Sequence, residues 1–137
     1  MAFRIFLDTD TLLDFTIKRE KSARQLVEWA IKGRVQAFIT PANLNIVGYW
    51  LTKAYGPATA KELLSTLLAD LQVIEIGHEI AVNALHSRIS DIPLALQYYT
   101  ALHHKLDYFI TRDEALHQVA MLVLPACRPE EFINKNS

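Results

Sequence analysis

The stretch Phe3-Arg4-Ile5-Phe6-Leu7-Asp8-Thr9-Asp10 is a compact apolar run that ends on acids. A run this short, bounded by polar turn formers, reads as a buried strand. The segments downstream of it decide the fold. Residues 11–17 read as a short helix. Ser22 is a candidate cap for a second helix, whose Ala23, Leu26, Val27, Ala30 and Ile31 form one apolar face, with Gly33 as its stop. Residues 35–39 give a second strand, and Thr40-Pro41 opens a third helix with Thr40 as cap and Pro41 in its first turn. Gly56-Pro57 breaks that helix and starts another, to about residue 70, with Leu63, Leu64, Leu67 and Leu68 turned inward. Three further strands are expected at 73–76, 108–111 and 121–124. Helices are expected at 79–88, from Pro93 onward and at 113–116, with a last helical turn at 129–132. Helices between successive strands imply crossover connections. The expected architecture is therefore a single three-layer α/β domain over residues 1–137, with a mostly parallel sheet of about five strands.

Composition agrees with one packed domain. The chain has 137 residues, 51% of them hydrophobic and 21% charged, enough for a core and unlike a disordered chain. Lys plus Arg number 14 against 15 Asp plus Glu, so any nucleic-acid contact must come from a local patch and not from net charge. One cysteine, Cys127, excludes an intramolecular disulfide and a Cys-based zinc site, which fits a reducing cytoplasm. No secretory signal is visible, and no apolar stretch approaches the ~20 residues needed to cross a bilayer, so no membrane partner is expected.

In open parallel sheets, ligands bind beyond the carboxyl ends of the strands. Asp8 closes the first expected strand, with Asp10 two residues on. Asp113 lies two residues past the fourth, after Thr111-Arg112, and Asp91 stands in the turn before the Pro93 helix. Single acids at such places serve as turn formers and helix caps. Three of them at successive sites around one sheet mouth repel one another unless a cation neutralises them. Mg²⁺ or Mn²⁺ takes oxygen ligands of this kind, keeps several waters and assists attack on a phosphodiester. Nearby, Lys18, Arg19, Lys21 and Arg24 form a basic cluster that is either a solvated face or a phosphate contact. Arg112 is placed to contact a phosphate or to pair with a neighbouring carboxylate. His103-His104 lacks the spacing of a zinc site, and Cys127 has no evident base partner.

At these residues the chain resembles the PIN domain family, the group of PIN-like ribonucleases and VapC-type toxins. Phe6-Leu7-Asp8-Thr9-Asp10-Thr11-Leu12-Leu13-Asp14 is similar to the family's opening "LDTNVLLD", and Ile39-Thr40-Pro41 to its "ISP". Residues 91–101, DIPLALQYYTA, resemble "DFEDALQYxxA", and residues 107–113, DYFITRD, resemble "DyiiTRN/D". Cys127-Arg128-Pro129-Glu130-Glu131-Phe132 is similar to the closing "tPeeF". Five motifs in order cover nearly the whole chain.

The resemblance implies a parallel α/β fold and a Mg²⁺- or Mn²⁺-dependent endoribonuclease in which activated water cleaves RNA, with the role of toxin in a toxin–antitoxin pair. It implies Asp8 as central metal ligand, Asp113 and Asp91 as further ligands, and Thr111 as the residue positioning water or phosphate. Asp10 supplies an outer contact, and Arg112, Lys18 and Arg19 are the candidate RNA contacts. An antitoxin and a second copy of the chain are the expected protein partners. Two departures stand out. The family's acid within the third helix falls on Ile46, among Asn43-Leu44-Asn45, and its "ED" pair is Pro93-Leu94. The alternative is therefore a catalytically weakened PIN-like module that binds RNA or a protein. A small-molecule phosphohydrolase is disfavoured, since four glycines in no P-loop pattern supply no phosphate cradle.

Overall fold

The computed structural model describes residues 2–137. Its strands are β1 (Phe3–Leu7), β2 (Val35–Ile39), β3 (Leu71–Val73), β4 (Tyr108–Ile110) and β5 (Ala126–Cys127). They form one sheet in the order β3-β2-β1-β4-β5, and every pairing is parallel. The helices are α1 (Thr9–Leu13), α2 (Lys21–Ile31), α3 (Pro41–Tyr55), α4 (Pro57–Leu67), α5 (His78–Leu85), α6 (Ile92–His103), α7 (Glu114–Val119) and α8 (Pro129–Asn136).

Alternation along the strands builds two cores, one on each face of the sheet. Ile5 and Leu7 of β1 point to one face, where Leu26 of α2, Leu51 of α3 and Phe132 of α8 close over them. Phe6 points to the other, stacks on Phe109 at 5.1 Å between ring centroids, and meets Leu94, Tyr98 and Ala101 of α6. Three layers result, as the sequence implies. Among the described residues no helix is long and apolar enough to cross a membrane.

Local chemistry sets the element boundaries. Thr40 and Asn43 form a reciprocal capping box at the start of α3: Asn43 N–H donates to Thr40 Oγ1, and Asn43 Oδ1 accepts from Thr40 N–H at 2.6 Å. Gly56, at φ +87°, lets α3 end and α4 begin at Pro57.

Several expectations need correction. The first helix is α1 followed by a π-helical turn, Asp14–Lys18, closed by Arg19 in the left-handed region. Glu20 caps α2 in place of Ser22, accepting the N–H groups of Ser22 and Ala23. The third strand starts at Leu71 because that side chain is the buried one that pairs with Ala37, and α5 starts one residue earlier than expected and stops at Leu85. Residues 121–124 are a turn, not a strand. Tyr98 Oη accepts Met121 N–H at 2.8 Å and donates to the Leu124 carbonyl at 2.7 Å, closing the turn with Leu122 fully exposed. Pairing with β4 then falls on Ala126 and Cys127. Ile31, Leu63 and Leu68, expected inward, are exposed: Ile31 ends α2, Leu68 caps the end of α4, and Leu63 stands at a surface pocket beside Phe15 and Arg24.

Candidate active site

The sheet order reverses at β1. The chain runs from β1 outward through β2 to β3, then returns to place β4 on the other side of β1. A crevice opens at such a switch point beyond the strand ends. Asp8 and Asp113 sit there, on neighbouring strands whose ends pair as Leu7 and Ile110, and Asp8 N–H continues the ladder to the Ile110 carbonyl at 3.2 Å. A cleft of about 260 Å³ is lined by Asp8, Asp10, Asp91 and Asp113, together with Ile46, Trp50 and Gln97. The expected acids thus reach one cleft, and no Lys or Arg is among the described residues that line it.

Each of the three expected ligands is also a helix cap. Asp8 Oδ1 accepts Thr11 N–H at 2.8 Å and the Thr11 hydroxyl at 2.6 Å, opening α1. Asp91 Oδ1 accepts Leu94 N–H at 2.9 Å at the start of α6, and Asp113 Oδ1 accepts Leu116 N–H at 2.8 Å at the start of α7. Capping holds the three carboxylates in fixed orientations around the mouth. Among the described residues, no three His, Cys, Asp or Glu side chains come close enough together to ligate one ion directly.

Asp8 is the electrostatic centre. It is 4% exposed, and burial pushes its carboxyl up to about 6 against hydrogen bonds from Thr11 and Thr111, with the charge of Asp10 adding to the rise. A buried carboxylate facing further acids and no cation fits a hard divalent ion bound with water in its shell. Asp8, Asp91 and Asp113 are the residues that would hold such an ion, through its water shell where they do not reach it directly.

The other expected site residues divide. Thr111 is fully buried, and its hydroxyl accepts Asp113 N–H at 3.1 Å, so it orients the acids and does not reach a phosphate itself. Asp10 lines the cleft mouth. Arg112 turns to a separate groove, where its guanidinium meets Glu130 at 2.8 Å, Glu20 at 2.9 Å and Asp14 at 3.4 Å. Of the two roles weighed for Arg112, pairing with carboxylates is the one realised. Lys18 reaches back to Asp14 at 3.6 Å, and Arg19 lines a pocket beside Phe15, Arg24 and Leu63. Neither lines the acidic cleft.

Gln97 and Trp50, which line the cleft, and Asn43, buried behind it, are not read as site residues from the sequence. Asn43 Nδ2 donates to Thr9 Oγ1 at 2.8 Å and to Gln97 Oε1 at 3.2 Å, while Gln97 Nε2 reaches Thr9 Oγ1 at 3.3 Å. This amide network lies beside Ile46, at the position where the resemblance expects an acid. Trp50, one helical turn beyond Ile46, lines the cleft and is 48% exposed. The helical spacing of Ile46 and Trp50 was the available signal.

The parallel sheet thus carries an acidic cleft at its switch point, the arrangement of an α/β domain whose site lies beyond the strand ends. The model of the PIN domain family matches residues 4–115, and the chain belongs to that family. No curated protein matches the chain. Among solved structures, the fold is similar to VapBC2 from Rickettsia felis bound to a promoter DNA fragment, at 15% identity and TM-score 0.72, covering 92% of this chain and 98% of that one. It is similar to a toxin–antitoxin complex from Klebsiella pneumoniae, at 22% identity and TM-score 0.69 over 91% and 97% of the two chains. The sarcin-ricin loop cleaving toxin VapC20 of Mycobacterium tuberculosis is also similar, at 16% identity and TM-score 0.63 over 87% and 97%.

Proposed function

We propose that this PIN domain is a Mg²⁺- or Mn²⁺-dependent endoribonuclease of the VapC type, acting in the cytoplasm as the toxin of a toxin–antitoxin pair. The observation that carries the reading is the cleft itself: Asp8, Asp10, Asp91 and Asp113 around one mouth, with Asp8 buried and no cation lining it. The family supports a nuclease fold, and the names of the similar structures support the toxin role and an antitoxin partner.

In this reading Asp8, Asp91 and Asp113 are the residues that would hold the ion, and the chemistry it would supply is charge neutralisation at a phosphodiester and a more acidic water. Thr111 keeps Asp113 oriented, and Asp10 polarises the mouth. RNA is the substrate, and a small antitoxin and a second copy of the chain are its protein partners.

Asp8→Asn keeps the shape and the Thr11 bonds while removing the charge. RNA cleavage in Mn²⁺ is expected to fall by orders of magnitude, on the order of 10²-fold or more. Full activity in that variant rejects the site. A second reading, a weakened module that binds without cutting, is favoured by one feature: amides and Ile46 occupy the wall where a further acid is expected.

A further inference from the structure

We infer that Trp50 is a base-stacking platform and that the groove between α3 and α4 is the track along which single-stranded RNA leaves the acidic cleft. This inference rests on the nuclease reading and deepens it by assigning the substrate's path to named residues. Trp50 is nearly half exposed and lines, from α3, the cleft that Asp8 and Asp113 also line. An indole half open to water at the rim of an acidic cleft offers one face to a ligand there. Its neighbour Tyr49 meets it edge to face, with ring centroids 5.3 Å apart and planes at 84°. The pair forms an aromatic ridge along α3.

On the far side of that ridge lies a second groove of about 490 Å³, floored by Leu44, Ala60 and Leu64 and flanked by Lys53 and Lys61. Lys53 Nζ stands 5.2 Å from the Tyr49 ring centroid, one turn beyond it on the helix. The two sides are electrostatically opposite. The cleft is acidic and admits a phosphate only together with a cation, whereas the groove offers two ammonium groups to a phosphate backbone. A strand crossing the ridge lays a base on Trp50, presents one phosphate to the acids, and runs its next phosphates past the lysines. Charge complementarity favours nucleic acid over an apolar peptide as the occupant.

The strand must be single. A base inside a duplex has no free face to offer, and stacking on an indole tolerates any base because each has a π-face. Lys53 and Lys61 hold phosphates without reading sequence.

The test uses the full chain and fluorescein-labelled, 2′-O-methylated RNA in Mn²⁺, so that the cation is present and binding is separated from cleavage, followed by kinetics on unmodified RNA in Mn²⁺. Single-stranded RNA is expected to bind more tightly than a duplex of the same length and to quench the exposed Trp50 while buried Trp29 keeps its emission. Trp50→Ala weakens single-strand binding about tenfold or more and raises KM with kcat little changed, while Trp50→Phe retains most of the affinity. Lys53→Ala and Lys61→Ala each reduce the slope of log affinity against log salt by about 0.7. If the wild type cleaves RNA while Trp50→Ala leaves Kd and KM within about twofold, the track is overturned and the nuclease reading stands. If the Trp50 and lysine effects on binding appear without cleavage in Mn²⁺, the track stands and the nuclease reading fails. Unchanged RNA binding in Trp50→Ala with altered self-association, or with altered binding of a co-expressed partner protein, overturns the track in favour of a protein occupant.

Discussion

Asn43 Nδ2 donates to Gln97 Oε1 at 3.2 Å, tying α3 to α6 across the wall of the acidic cleft. Both side chains are buried, and both also meet the Thr9 hydroxyl at the head of α1. Three helices are therefore held in register by two amides. Fully satisfied buried networks of this kind specify one arrangement, and a broken one leaves groups without partners.

Asn43→Ala removes the bonds to Thr9 and Gln97 and half of the capping box, so unfolding stability is expected to fall by about 2–4 kcal/mol. Gln97→Ala loses less, since the capping box survives. The double variant in a urea titration is expected to be less destabilised than the sum of the singles by about 0.5–2 kcal/mol. Strict additivity would show that the two amides are not coupled.

The second prediction concerns Asp8 and pH. Its folded carboxyl titrates at about 6, above the ordinary 3.8, chiefly through burial. Between those values the unfolded chain has lost the proton and the native chain keeps it, so stability falls as pH rises. Above about 6 the whole cost, about 3 kcal/mol, is present. Asp8→Asn is accordingly expected to be more stable than the wild type at pH 7.5, with the advantage shrinking toward zero near pH 4. Urea midpoints at the two pH values measure it. Adding Mn²⁺ is expected to raise the wild-type midpoint and to leave that of Asp8→Asn unmoved. An advantage that does not change with pH would refute burial as the cause.

The strands and acids were legible in the sequence because their signals are local. Apolar runs ending on Asp8 and Thr111 mark β1 and β4, and the parallel crossover rule then brings Asp8 and Asp113 to one mouth. The cleft wall was not legible for the opposite reason. Asn43 and Gln97 are 54 residues apart, and a buried amide reads like any polar helix position until its partner is in place. Arg112 was ambiguous because its carboxylates lie 18, 92 and 98 residues away. The fifth strand was misplaced because Met121-Leu122-Val123-Leu124 has the composition of a strand, while the Tyr98 hydroxyl closes it into a turn. An apolar run alone does not reveal a distant hydroxyl.

A third prediction arises from Arg112. Its guanidinium joins the π-helical turn through Asp14, the cap of α2 through Glu20 and the head of α8 through Glu130. Burial alone would push the Glu20 carboxyl up, but hydrogen bonds from Ser22 and Ala23 and the Arg112 charge outweigh it and hold it below the ordinary range. Arg112→Met leaves three carboxylates facing one another and is expected to cost about 1–2 kcal/mol after allowance for solvent screening. The loss should be largest near neutral pH and smaller on acidification, because the lowered Glu20 carboxyl contributes stability that is lost as pH falls and it takes up its proton. Thermal melts across that range measure it, and a loss that grows on acidification would exclude carboxylate repulsion as its source.

The last prediction tests whether the cleft is complete. Ile46 lines it from α3, at the position where the family resemblance expects an acid, and its apolar side chain faces the same space as Asp8 and Asp113. Ile46→Glu adds a carboxylate to a mouth that already holds four and lacks a cation. Without metal, the added repulsion is expected to lower stability by about 1 kcal/mol or more. With metal the sign reverses, because another oxygen ligand of the right hardness strengthens the hold on Mg²⁺ or Mn²⁺. Isothermal titration with Mn²⁺ is expected to show tighter binding in Ile46→Glu than in the wild type, and no gain in Ile46→Gln, which has the reach without the charge. Cleavage then separates the two functional readings. A wild type that cuts RNA, and a variant that cuts at lower Mn²⁺, mark a working nuclease with a sparse ligand set. An inactive wild type rescued by Ile46→Glu marks a site that kept its frame and lost one charge. An inactive wild type that Ile46→Glu fails to rescue leaves binding as the function of the cleft.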